Sequence, residues 1–161
     1  MRTRLIGFAL LIFIGLILDQ CSSAKRNDSG EITKSGDLSA FEISVGDCFN
    51  ELPNLDDTAQ TFSSVSAVPC NQSHHWQAFH KGIVELSEYS ESGVSEAAQS
   101  QCSSAERYLV NEMSAIKFDA FRNATMVLLY PTEKSWNLRS DRSIDCLIGS
   151  DTEEYFTSVF D

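Results

Sequence analysis

Positive charge is scarce in this chain. Twelve lysines and arginines stand against twenty-three aspartates and glutamates, a formal net charge of −11. There is no electrostatic footprint for DNA or RNA, so no nucleic-acid partner is expected. The same deficit predicts repulsion from anionic lipid, which leaves any membrane attachment to the N-terminus. No two cysteines are spaced C-x-x-C, which removes a dithiol redox motif and a zinc knuckle. No G-x-S-x-G elbow is present, so a Ser–His–Asp hydrolase lacks its usual local scaffold. Internal repeats are absent. No apolar run reaches the roughly twenty residues of a spanning helix.

What is present begins at the N-terminus. Arg2 and Arg4 precede an unbroken apolar run of fourteen residues, 5–18, closed by Asp19 and Gln20. At about 1.5 Å per residue the run covers ~21 Å of a ~30 Å hydrocarbon core. Residues 1–20 therefore read as a signal peptide, with an uncleaved N-terminal anchor as the alternative. Cys21 follows at once, and Ser22 and Ser23 come after it. That position resembles the lipidated cysteine of bacterial lipoproteins, although Gln20 stands where those signals carry a small residue. The expectation is a chain held at the extracytoplasmic face of the cell membrane, with Cys21 as the lipidation site.

Setting Cys21 aside leaves Cys48, Cys70, Cys102 and Cys146. Four cysteines in an exported chain imply two disulfides, with three pairings open. Residues 21–39 hold Ser, Gly, Asp, Lys, Asn and Glu and almost no large apolar side chain. They read as a flexible polar tether able to span up to ~60 Å.

The domain is assigned to residues 40–161. Phe41, Ile43 and Val45 alternate with polar residues and predict a strand. Residues 51–60, with Asp56 and Asp57, read as a solvated loop, and 62–68 as a weaker strand. Residues 76–86 are apolar on both faces, as a central strand would be. Val94, Ala97, Ala98, Cys102, Ala105 and Leu109 recur at three- and four-residue steps, an amphipathic helix with Ser92 as its N-cap. Residues 114–121 suggest a short helix, 125–130 a buried strand and 143–148 a last strand. In the tail, Thr152 would cap a short helix with Tyr155/Val159 and Phe156/Phe160 at helical spacing. The fold class is α+β: a mainly antiparallel sheet of about five strands with a helix packed on one face and two disulfides. Cys48 and Cys70 end the first two strands. Cys102 lies on the buried side of the helix and Cys146 on the Ile144/Ile148 face of the last strand. The expected bridges are Cys48–Cys70 and Cys102–Cys146; a crossed pairing would demand another strand order.

Several local patterns fall in a fixed order. Val45-Gly46-Asp47-Cys48-Phe49 opens the domain, and Val68-Pro69-Cys70 is followed by His74-His75. Cys102 sits within the helix. Then come Tyr130-Pro131-Thr132, Ser135-Trp136, Asp141-Arg142 and Cys146. This ordered set resembles the septum-formation family, small extracytoplasmic domains found mainly in actinobacteria. That family's pattern runs V-G-D-C-F, V-P-C-x-x-P-H, a helical cysteine, P-T-x-x-S-W, G-D-R and a final cysteine. The match covers residues 41–148. Ser73 replaces the family's usual Pro, and Ser140 its usual Gly before Asp-Arg. The resemblance implies a link to septum formation and cell division, and brings no catalytic residues with it.

His74, His75 and His80 are weighed as metal ligands and set aside. On a strand, His74 and His80 would lie about 20 Å apart, and His75 would point the other way. His74 is expected to cap a turn beside Cys70, and His80 to pack near Trp76. Asp141 and Arg142 read as a turn with a local ion pair. The sequons at Asn71 and Asn123 mean little in a bacterial chain. The reading is a non-enzymatic binding or structural domain of the cell envelope, with no catalytic residues, metal or cofactor. Its expected partners are the membrane, through the N-terminus, and an envelope protein or wall component. The alternative is an envelope enzyme such as a peptidoglycan hydrolase. A deep cleft gathering His74, Asp47 and Asp141 would mark that class, and a shallow surface would mark a binding module.

Overall fold

The computed structural model describes residues 23–50, 52 and 63–160. The signal run, Cys21, and Asp56–Asp57 lie outside the described residues. In chain order the elements are β1 (Lys25–Arg26), β2 (Ile32–Lys34), β3 (Gly36–Ser39), β4 (Cys48–Phe49), β5 (Ser64–Val68), β6 (Trp76–Ile83), α1 (Glu91–Glu112), α2 (Ala115–Ala120), β7 (Thr125–Leu129), α3 (Glu133–Arg139) and β8 (Ser143–Gly149).

Six strands form one antiparallel sheet in the order β3-β5-β4-β6-β8-β7. Its centre is β6 against β8, paired from Trp76↔Gly149 to Ile83↔Ser143. The pairing is close: a Cβ on Gly149 would overlap the His75 carbonyl oxygen. Helix α1 lies on one face. Ser90 caps it, its hydroxyl accepting from the Gly93 amide at 3.3 Å, in place of the expected Ser92. Val94, Ala98, Cys102 and Leu109 are its buried positions, the stripe that the sequence spacing marks. They pack with Phe79, Ile144, Cys146 and Ile148 into one core. The α+β class, the packed helix and both expected disulfides are present. Cys48–Cys70 has a Cα separation of 5.3 Å and Cys102–Cys146 one of 5.5 Å.

The opposite face carries a second core of Ile43, Phe49, Val65, Trp76, Ala78 and Leu147, joined by Ile32 and Leu38. Those last two residues overturn the tether reading. Residues 23–39 do not hang free in their described part. β1 and β2 form an antiparallel pair, and β3 lies along β5 as an edge strand of the sheet. Ile32 and Leu38 are 7% and 6% exposed. Two buried apolar side chains suffice because the rest of the segment is held by backbone pairing to an existing sheet and by one ion pair, Arg26 with Asp47.

Four other expectations give way. Phe41, Ile43 and Val45 do not form a strand. Ala40–Glu42 is a 3-10 turn in which the Ser39 hydroxyl accepts from the Phe41 amide, and only Ile43 of the three is buried. Thr125–Leu129 is an edge strand, half-buried rather than buried. The tail is not helical. The Tyr155 amide donates to the His74 carbonyl at 2.7 Å and the His74 amide to Tyr155 at 3.0 Å, while the Val159 amide donates to Gln77 Oε1 at 2.7 Å. Asp141 and Arg142 form no ion pair: Asp141 accepts from the Ser143 amide, and the Arg142 guanidinium lies 3.2 Å from the Trp136 ring centroid. Helix α3, which sequence reading does not foresee, is started by a capping box between Thr132 and Ser135. Among the described residues no helix is long and apolar enough to cross a membrane.

Candidate binding groove between the helix and the central strand

The groove begins with one extra residue in β6. Ala78 pairs with Leu147 and His80 with Cys146, leaving Phe79 as a bulge. A single inserted residue reverses the side-chain alternation of everything after it. Trp76 and Ala78 therefore face the second core, whereas Phe79 and His80 both turn toward α1. The expected packing of His80 near Trp76 is corrected by this bulge.

Across from them, α1 presents small residues. Ser100, Ser104 and Ala105 line an open groove of about 680 Å³ with Phe79, His80 and Tyr108. Glu112 and the tail residue Phe160 close its far end. Gln101 braces the near end, its Nε2 donating to the Ile83 carbonyl at 2.9 Å. A Cβ on Gly82 would overlap the end of that carboxamide, so the glycine leaves room for Gln101 in this position. Tyr108 is 70% exposed and Phe160 49%. Large aromatic faces beside a few polar groups suit capture of a ligand or peptide. No sequence motif marks the groove. Its traces were the stripe Ser100, Ser104, Tyr108 and Glu112 at four-residue steps and an aromatic at the end of the tail.

His74 lies elsewhere, fully buried. Its Nδ1 is 2.9 Å from the Gln72 carbonyl oxygen. A carbonyl can only accept, so Nδ1 carries the proton and Nε2 is bare. Nε2 has no partner, and neither has the buried Tyr155 hydroxyl. Burial pushes the His74 pKa down, outweighing the Gln72 hydrogen bond, and His75 adds to the lowering. Tyr155 stacks on Phe121 with centroids 4.4 Å apart. His75 points to the Ser150 carbonyl, 3.1 Å away.

The acidic groups are separately engaged. Asp47 holds Arg26 and accepts from the Ser44 amide at 2.7 Å. Asp145 holds Lys81 at 2.9 Å, and Lys81 also donates to the Ile43 carbonyl at 2.8 Å. Burial raises the Asp145 pKa, with Lys81 pulling against it. No hydrogen bond joins His74, Asp47 and Asp141 to one another. Among the described residues, no group of three or more His, Cys, Asp and Glu could hold a metal ion. The chain matches no family model, no curated protein and no solved structure.

Proposed function

We propose that this chain is a membrane-held, non-enzymatic domain at the extracytoplasmic face of a bacterial cell envelope, that it binds an envelope protein or wall component, and that it serves septum formation. The observation carrying the binding part is the groove between α1 and β6, with Tyr108 and Phe160 exposed at its rim. The septum part rests on the ordered motifs. Two of their positions have a physical logic that supports the reading. Gly46 in the opening motif has φ +98°, a region that favours glycine. Ser140, where the family pattern carries glycine, has φ +53°.

The test is recovery of crosslinked partners from membranes bearing the full chain. Replacing Tyr108 and Phe160 together by serine costs about 1–2 kcal/mol, mostly from the half-buried Phe160, and abolishes the recovered partner. Unchanged recovery would remove the groove from the reading. Release of muropeptides from cell wall by the purified chain would replace it with the hydrolase reading.

A further inference from the structure

We infer that the domain lies against the lipid surface with its β1–β2 end inward, rather than standing off on a tether. The inference rests on the proposed N-terminal membrane attachment and concerns where that attachment leaves the fold. The described chain starts beside an edge of the sheet. Ser23 bridges Asp37 of β3, and the Ala24 amide donates to the Asp37 carbonyl at 2.9 Å. Two residues later Arg26 is clamped to Asp47, to the Gly30 carbonyl and to the Glu42 carbonyl. The apolar run ends at Leu18, so four residues, 19–22, separate it from the fold. At about 3.3–3.6 Å per residue, Leu18 and Ser23 are at most ~18 Å apart. With a lipid on Cys21 the corresponding leash, Cys21 to Ser23, is at most ~7 Å.

Charge gives the same orientation. Residues 23–39 carry three basic and three acidic side chains, whereas residues 40–161 carry seven basic and nineteen acidic. Lys25 and Lys34 are exposed and face each other across β1 and β2. With Asp28, Glu31 and Asp37 exposed beside them, this end is close to neutral, so an anionic leaflet repels it less than the strongly acidic remainder. The occupant of the β1–β2 face is therefore the lipid headgroup layer.

The test compares two full-length chains in vesicles of phosphatidylglycerol and phosphatidylcholine. One is native; the other carries about twelve Gly/Ser residues inserted between Ser22 and Ser23, adding about 20 Å of average reach. Both are treated with a membrane-impermeant amine reagent and read residue by residue by mass spectrometry, with exposed Lys134 on α3 as the internal reference. Lys25 and Lys34 react about fivefold more slowly in the native chain than in the extended one, the size of effect an anionic surface has on each nearby lysine; Lys134 reacts equally in both. Equal, fast rates at Lys25 and Lys34 in the two chains would overturn the apposition while leaving the attachment standing. Equal, slow rates would overturn it in favour of a protein or second copy on that face. Failure of either chain to sediment with vesicles would overturn the attachment itself, and the inference with it.

Discussion

Arg26 and Asp47 meet through both prongs of their side chains: Nη1 lies 2.5 Å from Oδ1 and Nη2 2.6 Å from Oδ2. The pair fastens β1 to the turn before β4. Asp47 is 3% exposed, and its hydrogen bond raises the Arg26 pKa. Arg26→Ala leaves the carboxylate buried with the Ser44 amide as its remaining partner, at a cost of about 1–3 kcal/mol. Replacing Arg26 by Met and Asp47 by Leu together costs less than Arg26→Ala alone, since no buried charge is orphaned. Urea denaturation of the three proteins checks the order; a double variant weaker than the single one contradicts it.

Ser140 ends α3 in the left-handed region, φ 53° and ψ 32°. A side chain there is strained by about 1 kcal/mol, and glycine is not. Ser140→Gly therefore raises stability by up to about 1 kcal/mol, after subtracting glycine's greater freedom in the unfolded chain. Thermal denaturation reads the sign; a lower melting temperature would show that the Ser140 side chain makes a contribution the geometry does not reveal.

His74 predicts an acid-side loss of stability. Its folded pKa lies below the ordinary value of about 6.5. Between those two pKa values the unfolded chain binds the extra proton and the folded chain does not. Stability is thus fully present above about pH 6.5 and falls on acidification, by up to about 1.4 kcal/mol per pH unit, until the folded pKa is reached. Asp145, with a raised pKa, works the other way at lower pH. Comparing the native chain with His74→Gln isolates the histidine. The variant is less stable at neutral pH, yet its stability varies less between pH 7 and the acid range. Parallel pH curves would assign the slope to other groups.

The two disulfides differ in shelter. Cys102 and Cys146 are both fully buried, whereas Cys70 is partly open to solvent. Under dithiothreitol without denaturant, Cys48–Cys70 is reduced first and Cys102–Cys146 only as the domain opens. Removing Cys102–Cys146 by paired alanine substitution costs about 4 kcal/mol, and removing Cys48–Cys70 about 3, by loop entropy alone. Timed alkylation with peptide mapping reads the order, and denaturation reads the magnitudes.

Where burial followed the chain's own periodicity, the fold was legible. The α1 stripe, the β6 and β8 strands and the Cys102–Cys146 staple between them all appear as apolar spacing. Residues 23–39 were not legible, because their order comes from partners far along the chain: Asp47 for Arg26 and β5 for β3. The groove was hidden for a related reason. One extra residue at Phe79 decides which way His80 points, and alternation cannot reveal a bulge. Tyr155 and Val159 do share an inward face, as their spacing suggests, but Gln77 and the His74 backbone hold them outside any helix. The Cys102–Cys146 pairing was within reach because a buried helix stripe and a strand face limit which cysteines can meet. Cys48–Cys70 forms although the strand expected before Cys48 does not, since Cys48 opens β4 and pairs with Val68 at the end of β5.

Both bridges join neighbours in chain order, 48 with 70 and then 102 with 146. An oxidant acting on a chain that emerges N-terminus first would reach the native arrangement by linking each new thiol to the one just before it, with no reshuffling. That reading frame depends on the first cysteine. A reactive thiol at Cys21 would take Cys48 as its neighbour, Cys70 would fall to Cys102, and Cys146 would be stranded. Acylation of Cys21 would therefore do more than fix the chain in place: it would set the count from which the two native bonds form in order.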